Sequence, residues 1–172
     1  MMTTCELSVV IITKNEEKRI GRCIESVIKA IRNINISSEI ILVDSGSTDR
    51  TVEIAKKYQI RILQLTHKSQ FSPAGGRYIG SLFSKGRYIQ FLDGDSLLYE
   101  NWFENAIPIL GSDDSVAGVV GILTQEPYDT YSAKKLSRWM KNLNVGEIDY
   151  FDGSNLLKRS ILDEVGGYNP YM

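Results

Sequence analysis

The sequence predicts an α/β fold with a mainly parallel central sheet flanked by helices, of the kind that buries strands on both faces. Short, largely β-branched runs alternate with segments of helical period along most of the chain. Several of those runs stop at polar clusters rather than at tight hairpin turns, as strands feeding crossover helices do. The 172 residues, 42% hydrophobic and 24% charged, suit a single domain with a real core.

Leu7 to Ile12 reads as the first buried strand. Asn15 is placed to cap a helix with Glu16 and Glu17 in its first turn. Ile20, Cys23, Ile24, Val27, Ile28 and Ile31 then form one apolar stripe. Ile40 to Val43 is the second strand, and it ends in the turn-forming run Asp44-Ser45-Gly46-Ser47-Thr48-Asp49. A helix through about Tyr58 follows, capped by Thr48 or Asp49, which leaves Asp44 spare. Ile60 to Leu65 is the third strand. Ala74 to Lys85 reads as a helix with Tyr78, Ile79, Leu82 and Phe83 on its apolar face and Arg77 opposite, in the first turn. Tyr88 to Leu92 is the fourth strand, ending at Asp93. A helix over Trp102 to Leu110, a strand over Val116 to Leu123 and a basic amphipathic helix around Leu136, Trp139, Met140 and Leu143 complete the pattern.

Composition narrows the function. A net charge of −1 is not the field of a nucleic-acid binder. Cys5, Cys23 and the single His67 lack zinc spacing, and the two thiols read as buried small hydrophobes in a reducing compartment. No secretory signal is visible, so the sequon Asn35-Ile36-Ser37 carries little weight. The longest uncharged stretch, Ser115 to Gln125, is well short of the roughly 20 residues of a spanning helix. The predicted location is the cytoplasm, or the inner face of its membrane.

Ligands of open α/β sheets bind beyond the carboxyl ends of the strands. Thr13-Lys14-Asn15-Glu16, Asp44-Ser45-Gly46 and Asp93-Gly94-Asp95 each follow a strand, so parallel pairing gathers them on one rim. Asp93 and Asp95, separated by a glycine, can face one hard cation such as Mg²⁺ or Mn²⁺. A divalent ion also reconciles an acidic rim with an anionic ligand, which points to a metal-bridged diphosphate site. Arg77, near a helix N-terminus and behind Gly75 and Gly76, suits an anion. Gly75 to Gly80 has P-loop glycine spacing, but Ser81 stands where lysine is required. No G-x-G-x-x-G follows the first strand, which counts against a dinucleotide-binding Rossmann domain. Asp44 can accept from a base or ribose, and Asp113-Asp114 reads as a turn.

SVVIITKNEEKRIGRCIESV, EIILVDSGSTDRTVEIAKKY and GGRYIGSLFSKGRYIQFLDGDS, in that order, resemble the inverting glycosyltransferases of family two, as does Gly153 to Arg159 with Val165-Gly166-Gly167-Tyr168. The resemblance covers essentially the whole chain. It implies the GT-A fold, a nucleotide-diphospho-sugar donor, and a saccharide, lipid-linked or protein acceptor, as in cell-wall or polysaccharide synthesis. It implies that Thr13, Asn15 and Glu16 border the nucleoside, that Asp44 holds the base or ribose, and that Arg77 lies near the nucleotide. Asp93 then lies on the ribose and sugar side, Asp95 ligates Mg²⁺ or Mn²⁺, and Gly153, Ser154 and Asn155 lie near the donor sugar or acceptor. The implied reaction is a single in-line displacement with base removal of the acceptor proton and metal stabilisation of the departing nucleoside diphosphate.

The sequence departs from the family pattern at three places. Ile12-Thr13-Lys14-Asn15-Glu16 lacks the aromatic that leans on the base, and Tyr78 follows the arginine where asparagine is frequent. The Glu-Asp pair that supplies the catalytic base would come after Gly166-Gly167, whereas Asp163 and Glu164 precede it. The base is therefore expected beyond Met172, with the donor-binding part at about 1–97 and the start of the acceptor part at about 98–172 of one domain. A metal-dependent phosphohydrolase and a non-catalytic sugar-nucleotide-binding domain are the alternatives. The basic helix carrying Lys134, Lys135, Arg138 and Lys141 could rest on anionic lipid, although a core-packed helix with a solvated face fits the same pattern.

Overall fold

The computed structural model describes residues 5–67, 71–121 and 154–169. Gly153, the basic helix expected around Leu136 to Leu143 and the end of the expected Val116–Leu123 strand lie outside them. Among the described residues six strands form one sheet: β1 (Leu7–Thr13), β2 (Ser38–Asp44), β3 (Arg61–Gln64), β4 (Tyr88–Asp93), β5 (Gly118–Val120) and β6 (Asn155–Lys158). Their order across the sheet is β3-β2-β1-β4-β6-β5. β1 pairs in parallel with β2 and β4, and β2 with β3, while β6 runs antiparallel to both β4 and β5.

The sheet is covered on both faces, which is why its central strands carry consecutive apolar residues, with Ser8 and Gln90 as buried polar positions among them. Leu7, Val9 and Ile11 of β1 face the core shared with α1 (Ile20–Arg32), α2 (Thr51–Ala55) and α4 (Trp102–Ser112). Val10 and Ile12 face the opposite core, with Ile41, Val43, Ile89 and Phe91. That second face carries α3 (Pro73–Phe83), and Leu162 of α5 (Arg159–Glu164) packs there too. Full burial of each such aliphatic side chain contributes about 1.5–3 kcal/mol, so β1, buried along its length, anchors the fold.

α1 buries Ile20, Cys23, Ile24, Val27 and Ala30, the expected stripe. Its start differs from expectation. Asn15 is not its cap: the residue lies at φ +56, in the left-handed region that Asn tolerates, and the helix begins only at Ile20 with no acidic residue in its first turn. α2 is shorter than expected, ending at Ala55.

The largest difference concerns α3. Its buried residues are Gly75, Gly76, Arg77, Gly80 and Ser81, whereas Leu82 and Phe83 are exposed. A Cβ on Gly76 would lie 3.0 Å from Ile12 Cγ2, and one on Gly80 would run into Val10 Cγ1. The glycine face therefore lies directly against β1 and β2, and close backbone approach takes the place of large side chains. Ser72 caps α3 by accepting from Gly75 N–H at 3.0 Å, with Pro73 at the first helical position. Arg77 thus sits in the second turn of the helix, on its sheet side.

Candidate functional site

The strand register brings the expected clusters to one edge. Thr13 pairs with Asp44, Ile12 pairs with Asp93, and the backbone N–H groups of Ser45 and Gly94 donate to Thr13 O and Ile12 O at 2.9 and 2.8 Å. The reversed strand β6 starts at the same rim, where Asn155 is in register with Phe91 and Val120. Thr13, Asp44, Asp93, Gly94, Asp95, Ser154 and the buried Asn155 therefore share the carboxyl edge of the parallel strands. This is the location that open α/β sheets use for ligands.

The first two loops are joined into one unit. Asn15 N–H donates to Ser47 Oγ at 2.8 Å, and Thr48 N–H donates to Asn15 Oδ1 at 2.8 Å. Glu16 N–H donates to Thr51 Oγ1 at 2.7 Å, and Glu17 N–H to Asp49 Oδ2 at 3.1 Å. The left-handed backbone of Asn15 turns both its amide and its side chain toward the second loop. Asp44 is not spare. Its carboxylate is fully buried and accepts from Ser47 N–H and Ser47 Oγ, so it fastens the turn that encloses it. Asp49 serves the start of α2 by accepting from Thr51 N–H and Thr51 Oγ1. Burial works upward on its carboxyl, but the donors from Thr51 and Glu17 outweigh this and hold its pKa below the usual carboxylate value.

The rim cluster after β4 carries two ion pairs of different character. Arg77, 9% exposed, donates to Asp93 Oδ1 at 2.8 Å. Arg19, much more exposed, grips Glu16 with two nitrogens at 2.7 and 3.0 Å and approaches Asp95 Oδ2 at 3.7 Å. Cys23 Sγ donates to Asp93 O at 3.7 Å. Burial, with Asp95, Asp93 and Glu16 nearby, pushes its thiol pKa up to about 12, so Cys23 is an inert core group beneath the site. Cys5 is only half-buried.

Two observations bear on a divalent cation. Thr13 Oγ1 is buried and has no hydrogen-bond partner among the described residues, and a Cβ on Gly94 would lie 2.7 Å from it. Thr13 Oγ1 beside the Gly94 cradle and the partly exposed carboxylates of Asp93 and Asp95 at the same strand-end rim are hard-oxygen donors, the type that Mg²⁺ and Mn²⁺ take. Among the described residues no three His, Cys, Asp or Glu side chains form a cage. The set suits an ion that shares its coordination with substrate phosphates.

Phe71 is a rim residue that the sequence pattern did not single out. A Cβ on Gly46 would lie 2.5 Å from its Cε2, and Lys14 Nζ stands 5.3 Å from its ring centre. Gly46, at φ +73, admits the ring because it has no side chain. The signal available in the sequence was an aromatic six residues before Arg77, which is too weak to stand alone.

The sequence matches the family model of glycosyl transferase family 2 over residues 8–172. The chain belongs to this family. Among curated relatives, glycosyltransferase AglE of Haloferax volcanii is 25% identical over 178 residues, which cover 96% of this chain and 57% of AglE. S. aureus TarS in complex with UDP superposes with a TM-score of 0.74 at 20% identity, over 96% of this chain and 50% of that one. The mannosyltransferase PcManGT of Pyrobaculum calidifontis, in complex with GDP-Man and Mn²⁺, superposes with a TM-score of 0.70 at 19% identity, over 96% and 48%. The fold is that of the GT-A glycosyltransferases. This family 2 chain spans little more than half, or less, of the length of the curated relatives it matches.

Proposed function

We propose that this family 2 chain binds a nucleotide-diphospho-sugar donor and serves an inverting transfer of the sugar to an acceptor hydroxyl. The observation that carries the reading is the convergence on one carboxyl edge of the sheet of the orphaned Thr13 Oγ1, Asp44 and the Asp93-Gly94-Asp95 turn. Such a rim offers acceptors for a nucleoside and hard oxygens for a cation, with Arg77 supplying fixed positive charge. The solved complexes of fold neighbours with UDP and with GDP-Man and Mn²⁺ support the same donor class.

In this reading Asp44, through the turn it fastens, and Thr13, Asn15 and Glu16 form the nucleoside side of the site. Phe71 supplies the aromatic surface that the first loop lacks. Asp95, with Asp93, holds Mg²⁺ or Mn²⁺, which when bound neutralises the diphosphate and the charge that develops on it. Ser154 and Asn155, with Gly153, edge the sugar or acceptor side. Glu16 and Asp93 are each held by an arginine and Asp44 by Ser47, so they act as binding groups, and the acceptor proton goes to another base.

The acceptor class is a saccharide, a lipid-linked saccharide or a protein. No helix among the described residues is long and apolar enough to cross a membrane. A phosphohydrolase is the weaker reading, because nucleophilic Asp-x-Asp motifs of that class follow the first strand and this one follows β4.

The test is a thermal-shift panel of UDP-, GDP- and dTDP-sugars, each with and without Mn²⁺, run on the chain and on Asp95→Ala. A donor-dependent rise in melting temperature that needs Mn²⁺ and disappears in the variant is expected. No shift with any donor would overturn the reading.

A further inference from the structure

The rim carboxylates are answered by two arginines that differ in exposure. Arg77 is buried against the sheet and joined to Asp93 by a short hydrogen bond, so it is a permanent part of the wall. Arg19 sits just ahead of α1, and its side chain is 57% exposed. Two of its nitrogens are taken by Glu16, whose side chain is only 16% exposed and so holds the guanidinium by a fixed handle. Its NH1 faces Asp95 Oδ2 at 3.7 Å, within ion-pair range but beyond hydrogen-bond length. A contact of that kind between two half-exposed groups is weak. A divalent cation, with twice the charge and direct oxygen ligation, outcompetes it at the same carboxylate.

We propose that Arg19 is a displaceable counter-ion for the cation site. It neutralises Asp95 while the site holds no metal. It yields that carboxylate on metal loading and, still gripped by Glu16, presents its guanidinium to the diphosphate of the donor. The inference rests on the assignment of Asp95 as a metal ligand and deepens it by adding a second residue with two successive partners. Three features favour it over an ordinary surface pair. The Glu16 clamp occupies Nε and NH2 and leaves NH1 facing Asp95. An arginine fork matches phosphate oxygens as well as it matches a carboxylate. Both partners stand at the rim where Thr13 Oγ1 lacks a hydrogen-bond partner among the described residues.

The consequence is a reversal of sign that a purely structural ion pair does not produce. Removing the competing charge by Arg19→Gln is expected to tighten Mn²⁺ binding in the absence of nucleotide by about two- to fivefold. That is the change an exposed pair of up to about 1 kcal/mol converts to at 1.4 kcal/mol per tenfold. The same variant is expected to weaken UDP and GDP binding at saturating Mn²⁺. Arg19→Lys, which keeps the charge but not the fork, should leave Mn²⁺ binding near that of the parent and recover part of the nucleotide affinity.

The experiment is calorimetric and paramagnetic-resonance titration of the 172-residue chain, Arg19→Gln, Arg19→Lys and Asp95→Ala with MnCl₂ alone, then with UDP or GDP at saturating Mn²⁺. Opposite changes for metal and nucleotide in Arg19→Gln support the proposal. If Asp95→Ala abolishes Mn²⁺ binding while Arg19→Gln leaves it unchanged or weaker, the counter-ion role is wrong and the metal assignment stands. If Asp95→Ala binds Mn²⁺ like the parent, the metal assignment itself fails and the Arg19 proposal fails with it.

Discussion

The guanidinium of Arg77 lies 2.8 Å from Asp93 Oδ1, linking the middle of α3 to the last residue of β4. Arg77 has little access to solvent while Asp93 remains partly open, so the arginine orients a carboxylate that still faces the rim. Removing one member of a largely buried pair leaves the other uncompensated, a loss that reaches about 3–5 kcal/mol when both are fully buried. Because Asp93 stays wet, Arg77→Ala is expected to fall below that range yet lower the melting temperature measurably. It should also abolish donor binding in calorimetry. Arg77→Lys should recover stability better than binding, because a single ammonium keeps the charge and loses the fork. A variant that melts early but binds UDP with Mn²⁺ normally would show that the pair only holds α3 to the sheet.

The glycine face of α3 makes that ion pair reachable. A methyl on Gly80 would collide with Val10 Cγ1 and stand 3.3 Å from Val43 Cγ2, both in the sheet and both fully buried. Gly80→Ala gains helix propensity but must push α3 off β1, and overpacking of this kind costs about 1–3 kcal/mol. A lower midpoint in urea with an unchanged slope is expected, together with weaker nucleotide binding as Arg77 moves. Gly21 of α1, whose nearest contacts would be the Tyr58 hydroxyl at 3.4 Å and Ile54 Cγ2 at 3.6 Å, is the control helical glycine. Its replacement by Ala should be neutral or stabilising.

α3 also marks the limit of what the sequence reveals. β1, β2 and β4 are legible because burial on both faces demands runs such as Leu7 to Ile12, and α1 because one apolar stripe faces one core. Hydrophobic periodicity reports side-chain size, so it pointed to Tyr78, Ile79, Leu82 and Phe83 as the inner face of α3. Closeness of backbone to sheet, the quantity that decides here, leaves only glycines as its trace. β6 is not legible for another reason: Asn155 to Lys158 is a strand only through pairing with β4 and β5, distant in sequence. The rim clusters were legible because strand ends fix them. The bond between Asp44 and Ser47, and the left-handed turn at Asn15, were not, since Asn and Asp suit caps and turns alike.

Asp49 ties the two loops to acid stability. Its pKa is held below the unfolded value by hydrogen bonds from Thr51 and Glu17 acting against the opposing effect of burial. A depressed carboxyl binds fewer protons in the folded state, so its contribution is complete above the unfolded carboxylate range. It disappears as pH falls through the folded value. Asp49→Asn should therefore differ from the parent most at pH 6–7 and converge with it below the usual carboxylate range. Urea midpoints measured across pH 3–7 check this. A constant difference at every pH would mean that the side chain acts only as a neutral acceptor.

Phe71 provides the last expectation, and it separates nucleoside from diphosphate recognition. The ring rests on Gly46 beside the Asp44 turn, with Lys14 Nζ 5.3 Å from its centre. If a base stacks on this ring, the contribution falls in the range of about 1–3 kcal/mol found for base–aromatic contacts, tenfold or more in affinity. Phe71→Leu keeps an apolar side chain over Gly46 and removes the flat π surface. Its melting temperature should stay close to that of the parent while UDP and GDP bind roughly tenfold or more weakly at saturating Mn²⁺. Inorganic pyrophosphate, which carries no base, should bind the variant and the parent alike. Equal losses for pyrophosphate and UDP would show that Phe71 acts through the shape of the rim, and unchanged UDP affinity would remove the ring from the nucleoside side altogether.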